Sequence, residues 1–373
     1  MTVEGLDAPT PSLTDQGQVL VIKELTNPDG GQPRTLAFTD FEFRPLGYSQ
    51  LLDAVPSQSL TIPIEVTNAR IVTTDIEDVD PSQSVSISTT LESHFRSKAI
   101  GLVRGGWLPT PLAAMKADAV ILPDRNIISD FVGRFDSGRL KGLEPDFLDL
   151  LAERSVRINP LLAAIEGNSR SAPEPDAVQA QIEELSAKIQ KALPSATLMV
   201  GPDSLKGAVG LLNDTSDAFE RKQRLLLQLA PMLAAPVSQA NVDSRWEQIM
   251  TALDTAGVNR NSLLSVALIS VLTNPGGSCA ARRILKFHPG YNAGDAYNAL
   301  CDLRSLDILI TLFSVFPTEF IQVCTADRSL ALFWVGLGAS GFQRTGNTTR
   351  FELNPHQAVI PQHYLERWRE AIS

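Results

Sequence analysis

The sequence contains little cysteine and little histidine. Its 373 residues include three cysteines, Cys279, Cys301 and Cys324, and none of them forms a C-x-x-C pair. The four histidines are scattered, and none belongs to an H-E-x-x-H motif or to a cluster with cysteine. These absences exclude a disulfide-stapled miniprotein and argue against zinc-hydrolase chemistry. We therefore predict a reducing, cytoplasmic compartment in which the three thiols are buried or idle.

Long apolar runs and an excess of basic residues are also missing. Stretches such as 330–337 fall well short of the ~18 apolar residues that a membrane span needs. The first residues lack the basic and apolar segments of a signal peptide. Lys and Arg number 32 against 42 Asp and Glu, which gives a net charge of −10. This balance argues against an open, non-specific nucleic-acid-binding surface, but it is compatible with a nuclease whose metal site is locally acidic.

Two common motifs of nucleotide-binding proteins and hydrolases are absent. The sequence has no G-x-x-x-x-G-K-[ST] loop and no G-x-S-x-G elbow. Gly336, Gly338 and Gly341 do match G-x-G-x-x-G, but the residues before them favour a helix, and too few residues follow for a dinucleotide-binding sheet. We interpret this motif as a glycine-rich turn.

The N-terminal part of the chain favours β-structure. Residues that are β-branched or aromatic are concentrated at 19–25, 35–43 and 60–66, and the segment 35–43 alternates apolar and polar positions. Asn27-Pro-Asp-Gly-Gly31 is typical of a turn between the first two segments. A hairpin or small meander is the expected result.

The rest of the chain combines helical patterns with short apolar strands. A helix is predicted over 92–107, and buried strands are predicted over 119–122 and 320–324. Leu-rich amphipathic segments between them indicate a helical insertion. The predicted organisation is a β-rich region at 1–90, an α/β domain at 91–340 that contains the insertion at about 171–290, and a tail with a helix at 341–373.

Four carboxylates stand at informative places in this pattern. Asp124 and Asp327 each follow a predicted strand, whereas Glu166 and Asp307 lie in apolar helical segments. Ligand sites in open parallel sheets form beyond the carboxyl ends of strands, and acids gathered there repel one another unless a cation neutralises them. Their oxygens suit Mg²⁺ or Mn²⁺. Taken singly, each acid could also be a helix N-cap.

The order of these residues resembles that of PIN-like domains, a family of metal-dependent nucleases that includes toxin ribonucleases. Family members carry a strand that ends in Asp and is often followed by Asn, then a Glu on a later helix. An Asp that opens an apolar helix and a strand that ends in Thr-x-Asp complete the pattern. The residues that match are Asp124 with Asn126, Glu166, Asp307, and Thr325-Ala-Asp327. Arg125 departs from the small hydroxyl residue that is usual there, and the match covers about 118–168 and 293–340.

The resemblance implies an α/β fold, a three-layer sandwich around a mainly parallel sheet, with metal-dependent nuclease activity. The expected activity is that of an endoribonuclease, a hydrolase of phosphodiester bonds that uses one or two Mg²⁺ or Mn²⁺ ions. The resemblance assigns catalysis and metal binding to Asp124, Glu166, Asp307 and Asp327, orientation of these acids to Asn126 and Thr325, and phosphate contacts to Arg125, Arg304 and Arg328.

Two other interpretations stay open. One is a catalytically inert PIN-like scaffold that mediates protein interactions. The other is an unrelated α/β protein whose acids are caps and ion pairs, and in that case Asp124 and Asp327 should not lie on adjacent strands. The nuclease hypothesis implies RNA as the partner, or single-stranded DNA. A second copy of the chain and an inhibitory protein are further candidate partners, and no membrane partner is expected.

Overall fold

The computed structural model describes residues 19–23, 31–54, 59–76, 84–116, 118–152, 154–167, 169, 171–346 and 348–373. Within these ranges the chain is a mixed α/β protein with two main sheets. The predicted turn at 27–31 lies almost wholly outside the described residues.

The N-terminal sheet is antiparallel. Its strands are β1 (Leu20–Lys23), β2 (Thr35–Thr39), β3 (Glu42–Phe43), β4 (Thr61–Thr74) and β5 (Ser84–Glu92). β4 is the central strand, because β2 and β3 pair along one of its edges and β5 pairs along the other. The strands predicted within 19–25, 35–43 and 60–66 are therefore confirmed.

A β-hairpin occupies the segment in which the sequence predicted a helix over 92–107. Strands β6 (Ile100–Val103) and β7 (Gly106–Pro109) pair antiparallel, with Gly105 in the turn at a φ of +81°. The helix prediction is wrong. The alternation of apolar and polar residues that would have indicated strands is absent, because every residue of β6 and β7 is buried. A strand that is buried on both faces loses its alternation and cannot be distinguished from a buried helix by periodicity.

The second sheet is mixed and carries the predicted strands 119–122 and 320–324. Four further strands of this sheet are β8 (Val120–Pro123), β11 (Arg157–Ile158), β12 (Thr197–Leu198) and β13 (Ile321–Thr325). Two separate two-stranded sheets consist of β9 (Phe135–Asp136) with β10 (Arg139–Leu140), and of β14 (Ser340–Thr345) with β15 (Thr348–Glu352). The strand order is β12-β11-β8-β13-β6-β7; the first four strands are parallel, and β6 is antiparallel to β13. β8 and β13 are direct neighbours, so their carboxyl ends meet at one edge of the sheet.

Helices pack on this mixed sheet, and helices also fill most of residues 171–290, where the sequence predicted a helical insertion. The helices are α1 (Tyr48–Asp53), α2 (Thr110–Ala113), α3 (Arg125–Arg134), α4 (Leu161–Glu166), α5 (Pro175–Ala192), α6 (Pro202–Leu233), α7 (Val242–Thr255), α8 (Leu263–Thr273), α9 (Ala280–Leu285), α10 (Ala293–Val315), α11 (Arg328–Leu337) and α12 (Gln362–Ile372), with short 3₁₀ turns at Phe147–Leu151 and Gln239–Asn241. Helices α3, α4, α10 and α11 contact the strands of the sheet. Every residue of α8 is buried, so this helix lies at the centre of the helical region.

Three smaller predictions from the sequence have outcomes here. The three cysteines are free and buried. The G-x-G-x-x-G motif ends α11, with Gly338 in the left-handed region at a φ of +56°, which confirms the turn. Among the described residues, no helix is both long enough and apolar enough to cross a bilayer. The domain boundaries after residues 90 and 340 stay predictions.

Candidate functional site

A cavity of about 270 Å³ lies at the carboxyl ends of β8 and β13. It is polar, and the helices α3, α4 and α10 supply part of its lining. We call it the acidic cavity, because four carboxylates line it: Asp124, Glu166, Asp302 and Asp327. Three of these four residues, Asp124, Glu166 and Asp327, were predicted as metal ligands from the sequence.

Asp124 is fixed by hydrogen bonds at the junction of β8 and α3. Its Oδ1 accepts a bond of 2.8 Å from the backbone N–H of Ile127, so it is the N-cap of α3. Its carboxylate also accepts bonds from the Thr325 hydroxyl and from the Ala326 N–H. The carboxylate therefore has a defined position at the edge of the cavity.

Asp327 has the equivalent place after the neighbouring strand, β13. Its Oδ1 accepts bonds from the N–H groups of Ser329 (2.7 Å) and Leu330 (3.1 Å), which makes it the N-cap of α11. Asp124 and Asp327 thus follow adjacent parallel strands. The interpretation of these acids as unrelated caps did not predict this arrangement.

Thr325 connects the two aspartates. Its side chain is fully buried, and its Oγ1 accepts a bond of 2.9 Å from the N–H of Asp327. The same hydroxyl donates to the carboxylate of Asp124. Thr325 therefore contacts both acidic residues, through the backbone N–H of Asp327 and the carboxylate of Asp124. Asn126 is exposed and lines the acidic cavity from the first turn of α3.

Glu166 is the last residue of α4, and both acidic and basic side chains act on its carboxylate. The backbone carbonyl of Glu166 accepts a bond of 2.8 Å from the hydroxyl of Tyr297, which is 2% exposed. Arg125 and Arg304 attract the Glu166 carboxylate, and Asp124 repels it. Tyr297 is consequently part of the packing that holds this end of α4.

The acid that α10 contributes to the cavity is Asp302, and the sequence had indicated Asp307. The Asp307 side chain is 43% exposed, pairs with Lys222 (Oδ2–Nζ, 3.6 Å) and is not part of the cavity lining. Five residues on a helix correspond to ~500° of rotation, so the two side chains point about 140° apart. The position of Asp307 therefore does not agree with the predicted convergence of the four acids.

A pattern that would have found Asp302 is present in the sequence. Asn298, Cys301, Asp302 and Ser305 all line the acidic cavity, and their spacing is i, i+3, i+4 and i+7. This spacing places them on one face of a helix that is otherwise strongly apolar.

The pKa values of three carboxyl groups in the acidic cavity are raised, because burial and the neighbouring negative charges both disfavour the ionised form. Burial, followed by the charge of Asp327, raises the pKa of Asp302 to about 7. Burial is also the main cause that raises the pKa of Asp124 and of Glu166. The charge of Asp124 adds to the effect on Glu166, and the charge of Asp327 adds to the effect on Asp124. The positive charges nearby offset only part of this repulsion.

Two of the three predicted phosphate-binding arginines line the cavity, and both are held by the protein. Arg125 donates to the carbonyl of Ala163 (2.7 Å) and to Oε1 of Gln181 (2.8 Å). Arg304 donates to the carbonyl of Ile165 (3.2 Å), and its guanidinium lies 4.7 Å from the centre of the Phe219 ring.

The third arginine, Arg328, lies outside the lining. It donates to the carbonyls of Leu51 (3.1 Å) and Leu52 (2.5 Å), so it connects α11 to α1. Its position favours a structural role over a phosphate contact. Lys286 also lines the cavity.

The donor set suits a hard divalent cation in its chemistry and location. Carboxylate oxygens are the preferred ligands of Mg²⁺ and Mn²⁺, and all four carboxylates face one cavity. Within the described part of the chain, however, no three Asp, Glu, His or Cys side chains are arranged to hold one ion. Ligation would therefore require carboxylates to rotate towards one another.

Comparisons of the chain with protein-family models, with curated proteins and with solved structures find no match. A function for this chain is therefore inferred from its own residues.

Proposed function

We propose that the chain is a divalent-metal-dependent nuclease, an endoribonuclease with a PIN-like fold. The observation that carries this proposal is the convergence of four carboxylates at the carboxyl ends of two adjacent parallel strands. The parallel strands β8, β11, β12 and β13 and the helices packed on them support the PIN-like part of the proposal.

The carboxylates of the acidic cavity are the proposed ligands. Asp124, Glu166, Asp302 and Asp327 would hold Mg²⁺ or Mn²⁺, and the bound metal would supply the activation of water that hydrolysis of a phosphodiester bond requires. The protein's contribution is orientation and charge. The N-cap hydrogen bonds fix Asp124 and Asp327, and Thr325 holds both of them. Asp302 takes the role that the sequence prediction gave to Asp307.

Cations beside the acids supply the proposed contact with the substrate backbone. Arg125 and Arg304 line the cavity and act electrostatically on Glu166, and they carry the positive charge that a phosphodiester requires. We propose RNA as the substrate class, with single-stranded DNA as the alternative that the assay distinguishes.

The test is cleavage of structured RNA, single-stranded RNA and single-stranded DNA in Mg²⁺, in Mn²⁺ and in EDTA. We expect metal-dependent cleavage that Asp124→Asn and Asp302→Asn abolish while folding is retained. Asp307→Asn is the matched control, because it removes the same charge from the same helix outside the cavity. Full activity of Asp302→Asn with loss of activity in Asp307→Asn would contradict the assignment.

A second candidate function is an inert scaffold that binds protein partners. The absence of a complete ligand group among the described residues favours it, as does the involvement of Arg125 and Arg304 in bonds to backbone carbonyls. Calorimetric titration with Mg²⁺ and Mn²⁺ separates the two candidates. Neither cleavage nor metal binding would support the scaffold and refute the nuclease.

A further inference from the structure

Lys286 has an unusual backbone conformation at the mouth of the acidic cavity. It ends α9 in the left-handed region (φ +51°, ψ +35°), and its N–H donates to the carbonyl of Arg282 at 2.9 Å. Glycine or asparagine is the common residue at such a position. The flanking residues Leu285 and Phe287 are buried, so the backbone of Lys286 is anchored on both sides.

The side chain of Lys286 is exposed and lines the cavity. Its charge attracts the carboxylate of Asp302 across the cavity and partly offsets the repulsion from the other acids. The ammonium group makes no hydrogen bond or ion pair within 4 Å to another described residue. Arg125 and Arg304, by contrast, are held by carbonyl oxygens.

We propose that Lys286 is a substrate-binding residue that contacts a phosphate of the RNA substrate at the acidic cavity. This inference rests on the proposed nuclease function. A polyanion that approaches four carboxylates needs a cation that is free to turn towards it, and a lysine ammonium is a compact, mobile charge that binds phosphate well. The anchored left-handed backbone keeps that charge at the cavity.

Binding of a single-stranded RNA oligonucleotide over a range of salt concentrations tests this role directly. The binding measurements use the Asp124→Asn background, in which we expect no cleavage. For single strands, losing one phosphate contact lowers the slope of log K against log salt by ~0.7. We expect that loss for Lys286→Gln, with binding weakened about tenfold. Lys286→Asn, which is neutral and tolerates the left-handed conformation, should behave in the same way if the glutamine variant folds poorly.

Two matched variants complete the experiment. Lys286→Arg keeps the charge and should keep the slope. Lys188→Gln removes a lysine that is 49% exposed, pairs with Glu184 on α5 and lies outside the cavity lining, and it should leave the slope unchanged. In the otherwise wild-type protein, Lys286→Gln should raise KM more than it lowers kcat.

The outcomes separate this inference from the proposed function. If the wild-type protein cleaves RNA and Lys286→Gln has the same salt slope and KM as Lys188→Gln, the role of Lys286 is refuted and the nuclease stands. The same conclusion follows if Lys286→Arg loses as much as Lys286→Gln. If the wild-type protein neither binds nor cleaves RNA, the proposed function fails, and the role of Lys286 fails with it.

Discussion

The raised pKa of Asp302 predicts that neutralising this residue stabilises the metal-free protein at alkaline pH. Burial and the neighbouring carboxylates raise the pKa from 3.8 to about 7. The folded protein therefore binds a proton at Asp302 more tightly than the unfolded chain does. The stabilisation from that proton is fully present below pH 3.8 and is lost as the pH rises to about 7.

The size of the effect follows from the same two pKa values. A change from 3.8 to about 7 corresponds to at most about 4 kcal/mol of unfolding free energy. Asp302 lines a cavity that opens to solvent, so screening reduces this figure, and we expect ~2 kcal/mol. Asp302→Asn should thus be more stable than the wild type by ~2 kcal/mol at pH 8, with the difference vanishing near pH 4.

Urea unfolding followed by far-ultraviolet circular dichroism in EDTA measures this difference at several pH values. Asp307→Asn is the control on the same helix. It removes an exposed pair with Lys222, while burial raises the pKa of Asp307 as well, so the substitution should change the stability by at most ~1 kcal/mol in either direction. A difference between Asp302→Asn and the wild type that does not change with pH would refute the reasoning. An Asp302→Asn protein that is less stable at pH 8 would do so as well.

Three further predictions concern single residues. Asp327→Asn keeps the cap acceptor and loses the charge, so it should fold as stably as the wild type but lose metal binding in calorimetry; Asp327→Ala should lose ~1 kcal/mol of stability as well. Thr325→Val removes the hydroxyl that contacts Asp124 and Asp327 and leaves the part-buried N–H of Asp327 unpaired. It should cost about 1–3 kcal/mol in urea unfolding and weaken Mg²⁺ binding ~10- to 100-fold; unchanged Mg²⁺ affinity would show that Thr325 has no orienting role. Leu268→Ala, at the fully buried centre of α8, should destabilise the protein by about 2–5 kcal/mol in the same unfolding assay and leave cleavage below the transition unchanged.

The short strands of the mixed sheet were predictable because the sequence delimits them clearly. An apolar run ends at Pro123-Asp124, and another ends at Thr325-Ala-Asp327, so strand, turn and helix start are marked together. The hairpin of β6 and β7 was not predictable in the same way. Its residues are buried on both faces, and that burial is set by β13 and α11, which lie far away in the sequence.

The phase of α10 explains why Asp307 was preferred to Asp302 in the prediction from the sequence. The sequence shows two aspartates on this helix, Asp302 and Asp307, and both lie among apolar residues. Only the packing of α10 decides which of its faces meets the carboxyl ends of β8 and β13. The polar stripe that includes Asn298 and Ser305 indicates which face of α10 this is. The prediction chose Asp307 instead, because Asp307 interrupts the most apolar stretch of the helix.

Capping and ligand binding are compatible roles for the two aspartates that follow strands. In the described part of the chain, both hydrogen bonds to the Asp327 carboxylate go to Oδ1, so Oδ2 is available to another partner. A carboxylate held by one oxygen in a cap has already lost the rotational freedom that binding through the other oxygen would otherwise cost. The N-cap assignment of Asp124 and Asp327 therefore does not count against the site. The same N–H groups that begin α3 and α11 hold the two acids at neighbouring positions on the edge of the sheet.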